Sequence, residues 1–184
     1  MLRSYCAAFL IVVVANAYSA EPSDWPGFRG PGAAGVADGY ETPLRWDATN
    51  ADDASLLWKA DLAGLGHSSP TVFGDKIYLA TAIAADGESE LQLGRSGNSK
   101  AADDDGEQTW SVLCHDKATG KQLWRHDART GVPRATRHAK ATHANTTIAA
   151  DAEHVVACFG SEGLYCFDHD GNLLWQRDLG VINI

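Results

Sequence analysis

The chain has 184 residues, 45% of them hydrophobic, and its 24 Asp and Glu against 15 Lys and Arg give a formal net charge of −9. This length allows one ordinary domain with a hydrophobic core. So acidic a protein lacks the basic surface that nucleic acids and anionic lipids require, which excludes a nucleic-acid partner. No stretch approaches the roughly 20 apolar residues that cross a bilayer, so no transmembrane segment is expected in the mature chain.

The first 20 residues have the pattern of a secretory signal peptide. Arg3 precedes the apolar run Cys6–Ala15, and small residues follow as far as Ser19. A basic start, an apolar run of about ten residues and a small-residue cleavage site direct export. The sequence therefore predicts a mature chain that begins between Tyr18 and Glu21 and is periplasmic or extracellular. The alternatives are a buried N-terminal strand and a membrane anchor.

Residues 21–54 are predicted to form an extended segment ahead of the first strand. Gly30–Gly35 formally matches the nucleotide-binding pattern G-x-G-x-x-G. No strand precedes it and a Pro lies inside it, so we interpret it as coil. Because Gly and Pro offer little apolar area, we expect the rings of Trp25, Phe28 and Trp46 to hold this segment against the domain.

Residues 55–184 are predicted to be all-β. Short runs rich in Val, Tyr, Phe and Trp alternate with Asp and Gly turns, and helical periodicity is absent. The first predicted strand is Ser55–Leu62. A four-stranded unit follows, with strands at His67–Val72, Ile77–Thr81, Trp110–His115 and Gln122–His126. A second unit has strands at Thr146–Ala149, His154–Phe159, Leu164–Phe167 and Leu173–Gln176.

Two polar stretches interrupt these strands. Residues 85–109 are predicted to be a flexible, exposed insertion, because they are rich in Gly, Ser, Asp and Asn. Within the insertion, Asp103–Asp105 is interpreted as a solvated charge run; a calcium site is the alternative. Arg129–Thr142 is a basic connector, predicted to be a loop on one face of the domain.

The two units repeat the same residue types at equivalent positions. Each ends in a strand that carries a Trp, and an earlier copy of that strand precedes them. The segment Cys114–Trp124 resembles the eleven-residue repeat A-x-D-x-x-T-G-x-x-x-W of quinoprotein-type propellers, with Cys in the place of Ala. Cys166–Trp175 is a second copy, one residue shorter. Gly66–Pro70 and Trp25–Pro31 extend the resemblance to secreted bacterial PQQ-like β-propeller repeat proteins.

The resemblance implies an all-β propeller of four-stranded antiparallel blades. About two blades and one orphan outer strand are present, so the ring is interpreted as incomplete and the chain as an N-terminal fragment. In this family the small residue and the Trp dock adjacent blades, and the Thr-Gly pair makes the turn. The residues assigned to blade docking on this basis are Trp58, Cys114, Asp116, Thr119, Gly120, Trp124, Cys166, Asp168, Gly171 and Trp175.

The resemblance leaves two functions open. The first, which we favour, is an exported non-catalytic propeller that binds or scaffolds, as in the BamB-type propellers of outer-membrane assembly. The alternative is part of a dehydrogenase that oxidises alcohols or sugars with PQQ and calcium. No catalytic residue, metal ligand or cofactor contact is assigned, and no cofactor is expected for these residues. Whether the ligand is a protein, a carbohydrate or another small molecule stays open.

Other candidate sites have weaker patterns. His67, His138 and His143 do not have the spacing of a metal site and are predicted at the surface or at strand edges. The run Asp168–Asn172 begins like a calcium loop but lacks the distal Glu, so a hairpin turn is predicted. Asn145 begins an N-x-T sequon, and its predicted place in a strand disfavours modification. Cys114, Cys158 and Cys166 are interpreted as small buried residues, with a disulfide as the alternative.

Overall fold

The computed structural model describes residues 24–39, 42–50, 52–87, 91, 101–102 and 106–182. These residues form two four-stranded antiparallel sheets and two short 3₁₀ turns, which confirms the predicted all-β fold. The first sheet contains β1 (Thr71–Phe73), β2 (Lys76–Ala84), β3 (Gln108–Asp116) and β4 (Gln122–Gly131). The second contains β5 (Ala149–Ala150), β6 (Val155–Cys158), β7 (Leu164–Phe167) and β8 (Leu173–Arg177).

Each sheet is a meander in which strands pair in chain order, as in a propeller blade. The core lies between the two sheets. Tyr78, Trp110 and Val112 of the first sheet and Val155 and Phe167 of the second are fully buried there. A meander cannot cover both of its faces, so each sheet depends on its neighbour for burial of this apolar surface.

The two ends of the sheets differ in the length of their connections. The turns at one end are short: residues 74–75, 117–121, 151–154 and 168–172. The other end, here called the long-loop face, carries the connection 132–148, the described residues of the connection 85–107, the turn 159–163, and the flanking residues 64–70 and 178–182. Long loops on a rigid sheet scaffold are where binding residues concentrate, so a functional site is expected on the long-loop face.

Several predicted boundaries were wrong. Ser55–Leu62 is not a strand; it runs without a partner strand in the described part of the chain, and Leu57 is 86% exposed. Its sequence favours a strand, but a strand also needs a neighbour to pair with. The ladders also reach further than predicted, to Ala84↔Gln108 and Gln108↔Gly131. The insertion is therefore limited to residues 85–107, and the connector shifts from residues 129–142 to residues 132–148.

The N-terminal segment crosses the inner edges of both sheets. The Trp25 amide donates to the Val72 carbonyl at 2.7 Å, the Trp25 carbonyl accepts from the Val72 amide at 2.9 Å, and the Ala150 amide donates to the Pro26 carbonyl at 2.9 Å. The prediction for the other two rings was wrong, because Phe28 is 65% and Trp46 69% exposed. Residues 30–35 form a 3₁₀ turn and coil, and no strand precedes them among the described residues from 24 onward.

Two predicted features lie outside the described residues: the signal peptide, and Asp103–Asp105 of the insertion. In the insertion, the described residues Ala101 and Ala102 contact the connector. Ala101 forms an isolated antiparallel β-bridge with His138, and the Ala102 amide donates to the Arg137 carbonyl at 2.9 Å. Within the ranges given above, no helix has the length and apolar character needed to cross a membrane.

Candidate functional site

The same tryptophan contact occurs at the seam between the sheets and at a turn of the first sheet. The Trp124 indole of β4 lies over Gly171, where an added Cβ would be 2.8 Å from the ring, and its Nε1 donates to the His169 carbonyl at 3.1 Å. The Trp58 indole lies over Gly120 in the same way and donates to the Lys117 carbonyl at 2.9 Å. A glycine is needed at both points because any side chain would collide with the ring.

The turns under these tryptophans are held by their own aspartates. Asp116 Oδ1 accepts bonds from the Thr119 amide at 2.8 Å and the Thr119 hydroxyl at 2.6 Å. Asp168 accepts from the Asn172 amide and side chain, each at 2.8 Å, so this run is a hairpin turn as predicted. These hydrogen bonds hold the pKa of both carboxyl groups below the usual value. Each turn is therefore held by its own hydrogen bonds in addition to the tryptophan that packs on it.

The two cysteines occupy equivalent places beside the outer strands. Cys114 pairs across the ladder with Trp124, and Cys166 pairs with Trp175. Both thiols are fully buried and free, as interpreted from the sequence. Burial raises the pKa of Cys114 to about 12 and also raises that of Cys166. Trp175 itself remains 37% exposed, with the guanidinium of Arg177 over its ring at 5.9 Å.

A polar link through His169, which the sequence did not suggest, crosses the seam beside Trp124. His169 Nε2 lies 2.8 Å from the Asp151 carbonyl, and its Nδ1 lies 2.6 Å from the Tyr78 hydroxyl. Because a carbonyl oxygen only accepts, Nε2 carries the proton and Nδ1 accepts from the Tyr78 hydroxyl. Burial raises the pKa of Tyr78, which keeps this hydroxyl a donor. The link joins both sheets through one partly buried imidazole.

A cleft of about 870 Å³ opens on the long-loop face between the two sheets. The connector forms one wall, the turn after β6 forms the other, and Trp110 lies at the base. The polar and reactive side chains that line it are Arg134, Thr136, Arg137, His138, Thr142, His143, Asn145, Thr146, Cys158, Ser161 and Glu162. The cleft has the position and the mixed lining that ligand sites in folded domains commonly have.

Glu162 fixes the wall of the cleft that the turn after β6 forms. Its side chain is 5% exposed; Oε2 accepts from Arg129 Nε at 2.5 Å and Oε1 accepts from the Arg134 amide at 2.6 Å. Arg129 lies on β4, Arg134 on the connector and Glu162 in the turn after β6. One buried carboxylate thus ties three separate parts of the chain together, and its charge is compensated as a buried charge requires.

The connector wall is held by hydrogen bonds between uncharged groups. Trp110 Nε1 donates to the His143 carbonyl at 3.0 Å, and the Arg129 guanidinium lies over the Trp110 ring at 5.7 Å. Asn145 Oδ1 accepts from the amide and the hydroxyl of Thr142 at 2.9 and 2.8 Å. The prediction that Asn145 lies in a strand was wrong: it is exposed in the connector, ahead of β5.

Arg134 stands at the mouth of the cleft. Its NH1 donates to Asp178 Oδ1 at 2.6 Å and to the Ser161 carbonyl at 3.2 Å. The Arg134 guanidinium holds the pKa of Asp178 below its usual value, and the side-chain hydrogen bond to Asp178 raises the pKa of Arg134. Further along, the Ile182 amide donates to Ser161 Oγ at 2.9 Å, so the segment from Asp178 to Ile182 runs along this mouth.

The structure separates the predicted site residues into two groups. Of the residues assigned to blade docking, Trp124 and Gly171 meet at the seam, Trp58 and Gly120 meet at a turn of the first sheet, and Trp175 is 37% exposed. The cleft is built largely from connector residues that had no assigned role. His138 and His143 line the cleft and His67 does not, and no metal-ligating group of three occurs in the described part of the chain. The basic composition of the connector was the available signal for the cleft; nothing in the sequence singled out Glu162.

Comparison with known proteins agrees with this architecture. The model of the family described as outer membrane protein assembly factor BamB matches residues 41–180, a range that contains both sheets and all the residues that line the cleft except Ile182. Among curated proteins, none matches the chain. The match covers most of the sequence, and the paired four-stranded sheets are those of PQQ-like repeats, so the chain belongs to the BamB family of PQQ-like β-propeller proteins.

Proposed function

We propose that this chain is an exported, non-catalytic propeller module that binds a protein partner through its long-loop face. The observation that carries the proposal is the cleft, which lies where both sheets present their long connections. Its walls are held by Glu162, Trp110 and Asn145 in the protein alone. A preformed surface binds without the cost of ordering its loops.

The family supports a protein partner. The family is described as an assembly factor of outer membrane proteins. We extend this role to the present chain, together with export directed by residues 1–20. Export is checked by N-terminal sequencing of extracytoplasmic material, which should begin between Tyr18 and Glu21; recovery of the chain in the cytoplasm with an intact Met1 would contradict it.

In-cell photo-crosslinking tests which face binds. A photoreactive amino acid replaces Thr136 at the cleft in one variant and Ala118 in a short turn at the opposite end in the other; both positions are exposed. The proposal predicts a discrete crosslinked protein from position 136 and none from position 118. Equal crosslinking from both positions would contradict it, because a non-specific surface would not distinguish the two faces.

A cofactor titration separates binding from catalysis. We propose that the protein binds no PQQ, so adding PQQ and calcium to the purified chain should give no saturable change in absorbance or fluorescence. Saturable micromolar binding, together with alcohol-dependent or sugar-dependent reduction of a dye, would instead establish the dehydrogenase alternative.

A further inference from the structure

We propose that the cleft receives an extended, carboxylate-bearing segment of the protein partner, and that Arg134 binds this carboxylate in exchange for Asp178. The inference rests on the proposed function and names the chemistry that its partner presents. Three features of the described residues support it: the way Arg134 is held, the exposure of Asp178, and the chain's own segment at the mouth of the cleft.

Arg134 is positioned without help from Asp178. Its amide is bound by Glu162 Oε1 at 2.6 Å, and its NH1 donates to the Ser161 carbonyl at 3.2 Å. Glu162 is in turn fixed by Arg129 at 2.5 Å. The guanidinium therefore keeps its place at the mouth of the cleft when Asp178 leaves, as a preorganised receptor for a carboxylate requires.

Asp178 is the replaceable partner of Arg134. Its side chain is 64% exposed, and it follows β8 in a segment that makes no ladder with another described strand. Exposed ion pairs contribute little net stability, because water competes for both charges. A carboxylate brought by a partner can thus replace Asp178 at small cost, whereas Glu162 is too deeply buried to exchange.

The segment that starts at Asp178 shows what the mouth of the cleft recognises. Its carboxylate binds Arg134, the Ile182 amide donates to Ser161 Oγ at 2.9 Å, and Ile182 lines the cavity. A partner would present the same three groups with an acidic residue and, four residues after it, an aliphatic residue that supplies both a backbone N–H and an apolar side chain. The remaining space of about 870 Å³ accommodates such a segment beside the chain's own.

Charge composition favours an acidic partner at this place. Residues 132–148, the connector, contain Arg134, Arg137 and Lys140 and no Asp or Glu, in a chain whose net charge is −9. Such local contrast steers acidic segments toward the long-loop face and disfavours basic ones.

Fluorescence anisotropy on the full chain tests the exchange. The probe is a labelled peptide with the sequence QRDLGVI, which is that of residues 176–182, and the control peptide has Asn in place of its Asp. Because the tethered Asp178 competes at high effective concentration, the Asp178→Asn protein should bind the acidic peptide at least about tenfold more tightly than the wild-type protein. The affinity of the control peptide with Asn should be the same for the Asp178→Asn protein and the wild-type protein.

Variants of Arg134 complete the test. In the Asp178→Asn background, Arg134→Gln should weaken peptide binding by about 10- to 100-fold, the range expected for a lost charge-assisted hydrogen bond. Arg125→Gln removes a similar exposed Arg that pairs with Asp127 at 2.6 Å outside the cleft, and it should leave binding unchanged. Arg134→Lys keeps the charge and should give an intermediate affinity, which guards against misfolding of the Gln variant.

Two results would overturn the inference: equal binding of the Asp and Asn peptides to the Asp178→Asn protein, or equal effects of Arg134→Gln and Arg125→Gln. If either occurs while position 136 still crosslinks to a partner, the binding function stands and the carboxylate chemistry is wrong. If the peptide binds as expected but position 136 does not crosslink, the receptor chemistry stands and the proposed partnership in the cell is wrong.

Discussion

Replacement of Trp124 by alanine should show how much the tryptophan contact stabilises the seam. Full burial of a Trp side chain removes 150–250 Å², which corresponds to about 4–6 kcal/mol at about 25 cal/mol per Å². Trp124 is half-buried, so the free energy of unfolding should fall by about 2–3 kcal/mol. Urea denaturation of the purified protein measures this change. Trp46→Ala is the control, since that ring is 69% exposed and its loss should cost less than about 0.5 kcal/mol.

A double-mutant cycle with Gly171 tests whether the ring and the turn act as one contact. An added Cβ at Gly171 lies 2.8 Å from the Trp124 ring, so Gly171→Ala forces the ring to move and also strains a φ of +86°. With Trp124 already replaced, only the backbone strain remains. The Ala substitution should therefore cost about 1 kcal/mol less in the Trp124→Ala background. Additive effects, or a Trp124→Ala cost no larger than that of Trp46→Ala, would refute the docking role.

Two further predictions concern the buried groups. Glu162→Gln should lower the free energy of unfolding by about 2–3 kcal/mol, because it leaves Arg129 without its buried counter-charge; a loss below about 0.5 kcal/mol in urea denaturation would contradict this. At pH 8 a maleimide should modify the partly exposed Cys158 before the buried Cys114. Burial raises the pKa of Cys114 from 9.0 to about 12, which leaves about a thousandfold less thiolate than at the ordinary pKa. Mass spectrometry that finds both cysteines modified at equal rates would contradict this.

Much of the architecture could be predicted because its signals are local. The alternation of apolar residues placed β7 at Leu164–Phe167, as observed, and β6 and β8 to within a few residues. The repeat of Trp, Asp and Gly gave equivalent positions in the two units, and the ladder pairs Cys114 with Trp124 and Cys166 with Trp175 accordingly. Hairpin turns and strand alternation depend on residues close in the chain, which is why a single sequence reveals them.

Strand ends and isolated strands were harder to predict, because they depend on neighbours. β4 continues to Gly131 although its second half is polar, since that half pairs with the start of β3 as far as Gln108. Ser55–Leu62 has the composition of the outer strands and carries an equivalent Trp, but it forms no ladder in the described part of the chain. Composition decides whether a segment can be a strand; the presence of a partner edge decides whether it becomes one.

The cleft could not be predicted because its central residue looks ordinary in the sequence. Glu162 lies in the run Gly160–Gly163, which has the composition of an exposed turn, yet its side chain is 5% exposed. Its partners are 33 and 28 residues earlier in the chain, and only the packing of one sheet on the other brings them together. The excess of basic residues in the connector was visible in the sequence. The sequence does not show which acid pairs with which of these basic residues. Arg129 pairs with the buried carboxylate of Glu162, whereas the guanidinium of Arg134 pairs with the exposed carboxylate of Asp178. Because Asp178 is exposed, Arg134 is the basic residue that we propose exchanges its carboxylate partner, whereas Arg129 and Glu162 stabilise the contact between the sheets.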